Sequence, residues 1–244
     1  YGYSILGTPE TVGALSAGDV QAAHRAGYFP GNCVIAVAGH VDHEQVVELL
    51  AKEGWCDGDR AGASHPPVPG RIAARGEFHR VERDTTQVHL LFGSDTFPYR
   101  DRRRFALSIL TNAFGGGMSS RLFQRIREEL GLAYAIYAFQ QFFQTAGVAG
   151  VYIGTQPATA VQATEAIQAE YALLAAEGLS AEDVAQGKQQ LKGQVMLSLE
   201  SPVSRMNRLA TLVLHDEPYQ PLDQILAEID AVRREDVAAL AVEF

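Results

Sequence analysis

Phe114-Gly-Gly-Gly-Met-Ser-Ser-Arg-Leu-Phe-Gln-Arg-Ile-Arg-Glu-Glu-Leu-Gly-Leu-Ala-Tyr134 is the stretch that decides how this chain is built. Glycine punctuates it twice. Gly115, Gly116 and Gly117 separate an apolar helical pattern over 102–113 from a second over 119–130. Gly131 stops the second helix before strand character begins near Ala133. Arg127 falls in the last turn of that helix and Tyr134 at the start of the strand, so the reversal at Gly131 can carry both side chains to one edge of a sheet. The plainer account is a cation at a helix C-terminus and an ordinary strand aromatic. Three consecutive glycines cost backbone entropy and leave N–H and C=O groups open to another backbone. The plainer account there is a simple helix-to-helix turn.

Outward from this block, the pattern segregates helices from strands. Downstream, residues 133–142 and 147–154 read as two strands of a hairpin. Four helices follow. The first runs over 158–177, the second starts behind Ser180 with Asp183 as capping partner, the third starts at Pro202 behind Ser201, and the last runs from Pro221 to the end. Upstream, residues 77–92 alternate as a strand with Val81, Val88, Leu90 and Phe92 on its apolar side. The Gly-, Pro- and Ala-rich stretch between Cys56 and Gly76 lacks periodicity and reads as a linker. Before it, 5–11 is turn-like, Ser16 and Asp19 cap a helix to about Gly27, 33–39 is an apolar run of strand length, and Asp42 and Gln45 open a helix over 43–53. The fold class this predicts is α+β, an antiparallel-rich sheet with helices packed on one face.

Composition excludes several functions. The 244 residues are 47% hydrophobic and 20% charged, which supports a packed core. No run is long and apolar enough to span a bilayer. A net charge of −9 makes nucleic acid a poor partner, because phosphate binding needs a clustered positive surface. Cys33 and Cys56 form neither a disulfide scaffold nor a metal pair, a use of cysteine that leans only mildly cytosolic; the compartment is left unassigned, with a bacterial cytoplasm favoured. The sequence opens on Tyr1 and stops on a helical pattern, which suggests a piece of a longer protein.

Other motifs read blandly. His40-Val-Asp-His43-Glu44 straddles a strand end and a helix cap without an evident third ligand, so a solvated turn is favoured over a metal site. The glycine triplet lacks both the lysine of a P-loop and the preceding strand of a dinucleotide fingerprint. His215-Asp216 has no activated serine to serve and reads as a helix end.

Taken together, 114–134, Ile5-Leu-Gly-Thr-Pro-Glu-Thr-Val12, Ala36-Val-Ala-Gly-His-Val-Asp42 and Leu191-Lys-Gly through Ser204-Arg-Met-Asn-Arg208 resemble the pitrilysin/insulinase group of inverted zinc metallopeptidases. That resemblance implies two similar α+β domains facing each other around a chamber. It places residues 1–75 at the end of the first, zinc-carrying domain and 76–244 in the second, substrate-binding one. The family's H-x-x-E-H zinc motif is absent here, so the resemblance implies no metal ligand in this chain and zinc only in the intact protein. It implies that Arg127 and Tyr134 are auxiliary catalytic groups reaching the substrate near the scissile bond, and that Gly115, Gly116 and Gly117 contact substrate. The implied partners are a peptide substrate and the missing zinc-carrying half or a homologous subunit, in a homo- or heterodimer. The implied activity is hydrolysis of peptides or unfolded polypeptides by the intact protein, with this chain inactive alone. A non-catalytic structural or regulatory subunit of the same fold is the alternative.

Overall fold

The structure, a computed structural model, describes residues 5–56 and 76–243. In the first part, Thr8 and Thr11 form a reciprocal capping box around a short helix, α1 (Pro9–Gly13), so the stretch expected to be a turn is helical. Ser16 and Asp19 cap α2 (Ala17–Gly27) as the sequence indicates. Asp42 accepts from the Gln45 amide to open α3 (His43–Lys52). None of these three helices buries a residue. The run 33–39, expected as a buried strand, is not one: Ile35 is 48% exposed and forms no ladder. A strand needs a neighbour for its N–H and C=O groups, and no described segment pairs with this one. The expected linker between Cys56 and Gly76 lies outside the described residues.

The second part holds the core. β1 (Val88–Thr96) begins where Thr155 gives it a partner, so residues 76–87 stay outside the sheet and Val81 is exposed, against the longer strand expected. β2 (Ala133–Phe142) and β3 (Gly147–Thr155) form the expected hairpin, and β3 is central in the antiparallel order β1-β3-β2. Val151 and Ile153 on β3 and Ile136 on β2 point into the core. Against that face lies α4 (Arg104–Gly115), burying Leu107, Ile109, Leu110 and Phe114. Around α4 pack α5 (Ala160–Glu177), α6 (Ala181–Ser198), α8 (Leu222–Ala231) and α9 (Arg234–Glu243), while α7 (Pro202–Leu214) buries only Leu212. The architecture is α+β with its helices on one face of the sheet.

Two local departures from the sequence reading have clear causes. The last helix is two: Val232 takes an extended conformation and buries its side chain, and Arg233 and Asp236 then open α9. The helix over 119–130 widens into a π-helical segment, Phe123–Glu129, closed by Leu130 N–H donating to Arg125 O. Gly131 follows at φ 62°, a left-handed position that suits glycine. Among the described residues no helix is long and apolar enough to cross a membrane.

Candidate functional site

The π-helical segment is tied down before it presents anything. Ile126 is fully buried beneath it, Arg121 and Arg125 reach Glu170 of α5 at 3.5 and 4.0 Å, and Arg125 bonds Glu129 at 2.6 Å. The Glu129 carboxylate pushes the Arg125 guanidinium above its ordinary value. On this base Phe123 and Arg127, one turn apart, come together: the Arg127 guanidinium carbon lies 4.6 Å from the centre of the Phe123 ring. After the Gly131 reversal, the same carbon lies 5.0 Å from the Tyr134 ring. The guanidinium is therefore held against two aromatic rings, each contact worth about 0.5–1 kcal/mol at an exposed site. Glu128 Oε1 stands 3.5 Å from Arg127 Nε in a half-exposed pair that adds little.

Tyr134 owes its position to a β-bulge. Ala133 pairs with Thr155 and Ala135 with Gly154, so Tyr134 is the extra residue, left out of the ladder. Its ring is 78% exposed. Thr155 anchors the bulge from below by donating to Leu132 O at 2.6 Å. Sequence placed Arg127 and Tyr134 together but missed Phe123, whose four-residue offset from Arg127 was the available signal.

The glycine triplet divides by function. Gly115 is the buried last residue of α4, where a Cβ would sit 2.8 Å from the Ala138 Cβ and closer still to its amide. It is there to let α4 touch β2. Gly116 caps the helix through its N–H to Asn112 O. Only Gly117 faces open space. Ser120 donates to Gly117 O at 2.6 Å and fixes the turn.

Nothing described here assembles a metal site: among the described residues no group of three His, Cys, Asp or Glu is placed to hold an ion. His40 and His43 lie exposed at the start of α3. His215 ends α7 and stacks on Tyr99 at 4.2 Å, with Arg104 over the same ring at 4.4 Å. Burial first, and the Arg104 charge second, hold His215 below the ordinary histidine value. A cleft of about 420 Å³ between the sheet, α4, α5 and α9 is lined by Phe92, Thr111, Phe114 and Tyr171, and burial pushes the Tyr171 phenol up to about 12. Neither this cleft nor a second one between α4, α8 and α9 is lined by Arg127 or Tyr134; Tyr134 is exposed and Arg127 is partly buried beside it.

Comparison with known proteins adds the family. Residues 14–191 match the model of the peptidase M16 inactive domain. The chain is 36% identical over 245 residues to an uncharacterized zinc protease of Streptomyces coelicolor, covering 98% of this chain and 53% of that one. It is 33% identical over 249 residues to the uncharacterized zinc protease YmxG of Bacillus subtilis, covering 98% and 58%. The chain thus spans about half the length of the curated relatives it matches. Its fold superposes on a peptidase M16 inactive domain from Pseudomonas fluorescens with a TM-score of 0.86 at 19% identity, covering 99% of this chain and 57% of that one. A protease from Helicobacter pylori gives 0.82 at 21%, covering 98% and 58%.

Proposed function

This chain belongs to the peptidase M16 family, and on that premise we propose that it is the substrate-binding part of a zinc-dependent endopeptidase acting on peptides and unfolded polypeptides. The observation that carries the reading is the convergence of the partly buried Arg127 guanidinium and the exposed Tyr134 ring, 5.0 Å from guanidinium carbon to ring centre, at the end of a helix–glycine–strand reversal. The guanidinium offers fixed donors to a peptide carbonyl, and its two flanking rings keep those donors in place. The Tyr134 phenol donates to a carbonyl oxygen as that oxygen gains charge, an effect worth about 10²–10³ in rate for a single well-placed donor. Gly116 and Gly117 border the substrate, while Gly115 serves packing.

Among the described residues no group fits a zinc site, and our reading places the metal implied by the relatives' names in the remainder of the intact protein. We assign residues 5–56 to the end of that zinc-carrying domain and 76–243 to the second domain. Two features support the division. The first three helices bury nothing. Ser16-Ala-x-Asp19-Val20 of α2 also matches Ser180-Ala-x-Asp183-Val184 of α6, where Val184 is buried, so α2 carries the pattern of a docked helix without its dock. A non-catalytic subunit is the second reading, favoured by the likeness of the fold to a chain of Complex III2 from Candida albicans at a TM-score of 0.78.

The test compares the intact protein with this chain on an unstructured fluorogenic peptide, with and without a chelator. The intact protein should cleave and lose activity on chelation, and the chain alone should do neither. Chelator-sensitive cleavage by the chain alone, or an inert intact protein, would contradict the proposal.

A further inference from the structure

The sheet face opposite α4 carries a row of exposed apolar side chains beside Tyr134. Leu91, Tyr152 and Tyr137 stand in register across β1, β3 and β2, and the neighbouring row is His89, Gly154 and Ala135. Leu91 is 68% exposed and Tyr137 47%. Tyr137 and Tyr152 stack at 4.9 Å, and a 2.7 Å hydrogen bond between His89 Nδ1 and the Tyr152 hydroxyl holds the second ring over its neighbour row. A Cβ at Gly154 would lie 3.4 Å from that hydroxyl, so glycine gives the Tyr152 side chain room to lie across the row and reach His89. Exposed apolar patches on a folded surface mark binding. This one begins at Ala135, directly after the bulged Tyr134.

We infer that Tyr152 and Tyr137 form a specificity subsite for an aromatic side chain of the peptide held by Arg127 and Tyr134. The inference rests on the proposed function. Tyr137 lies three strand residues from Tyr134, about 10 Å, so in an extended peptide the aromatic residue sits about three positions from the carbonyl that Tyr134 contacts. Flat rings flanked by Leu91 match a planar apolar group, and the chain's net charge of −9 disfavours an acidic one.

The experiment uses the intact protein and peptides in which Phe, Lys or Ala is placed at successive positions. Affinity is read by fluorescence anisotropy and turnover by cleavage. Phe should be preferred over Ala by about threefold to tenfold at one position. Tyr152→Ala and Tyr137→Leu should bring that ratio close to one. The Tyr137→Leu variant keeps apolar bulk, so it stands if Tyr152→Ala fails to fold. A Phe preference that survives in a folded variant overturns the subsite, as does a Lys preference that the variants abolish. Cleavage with a flat Phe-to-Ala ratio removes the subsite and leaves the peptidase reading. A Phe preference in anisotropy without any cleavage does the reverse.

Discussion

Replacing Gly115 with alanine sets two local effects against each other, and the structure says which wins. In a helix, alanine is favoured over glycine by about 0.5–1 kcal/mol through backbone entropy. The new Cβ would lie 2.8 Å from the Ala138 Cβ and nearer to the Ala138 amide, where real side-chain carbons do not sit. The obstacle is the backbone of β2, which cannot swing aside as a long side chain would. Overpacking of this kind costs about 1–3 kcal/mol, and backbone resistance puts this site at the upper end. The net expectation is a loss of about 2 kcal/mol, or 4–8 °C in Tm for a chain of this size. Gly117→Ala is the control, because nothing lies within 4 Å of its Cβ, and its Tm should stay within about 2 °C of the parent. Thermal unfolding of the two variants followed by circular dichroism reads the difference. Equal stability of Gly115→Ala and the parent would refute the claim that α4 and β2 meet through this glycine.

Two further outcomes follow from caps and burial. Ser180 and Asp183 satisfy each other's amides at 3.0 and 3.1 Å, so Ser180→Ala should cost about 1 kcal/mol, measured by urea unfolding. His215 is held below its ordinary value when folded, so the unfolded chain binds more protons in the window beneath the ordinary histidine value of 6.5. Stability should therefore fall as pH drops from 7 toward 5, with burial first and Arg104 second opposing the new charge and Glu217 partly offsetting them. His215→Phe keeps the ring stack on Tyr99 and should flatten that slope in urea midpoints taken at each pH; an unchanged slope would show that the titration lies elsewhere.

Much of this fold was legible because its signals are local. Ser16 with Asp19, Ser180 with Asp183, and Ser201 before Pro202 each name a helix start from the chain alone. The two strand-like runs 133–142 and 147–154 with a short turn between them name the hairpin. What failed depended on distant partners. The run 33–39 has every local property of a strand, yet pairing is a property of two segments and no described segment pairs with it. Val81 alternates correctly but lies beyond the reach of β3. The π-helical widening at Phe123 and the bulge at Tyr134 are single-residue insertions into regular ladders, set by how Ile126 and Thr155 pack beneath them. Those two irregularities bring the Arg127 and Tyr134 side chains together, so the pair was legible as a spacing and its geometry was not. Gly115 is a different case: the triplet reads as one unit in sequence, and the structure shows its first residue buried and packed against Ala138.

The direct test of the central claim removes one oxygen. In the intact protein, Tyr134→Phe keeps the ring beside Arg127 and deletes only the phenol hydroxyl that the account assigns to the developing oxyanion. Steady-state hydrolysis of an unstructured peptide should show kcat lower by about 10²–10³ with KM changed less than about threefold. Turnover by the variant equal to that of the parent would contradict the role given to Tyr134.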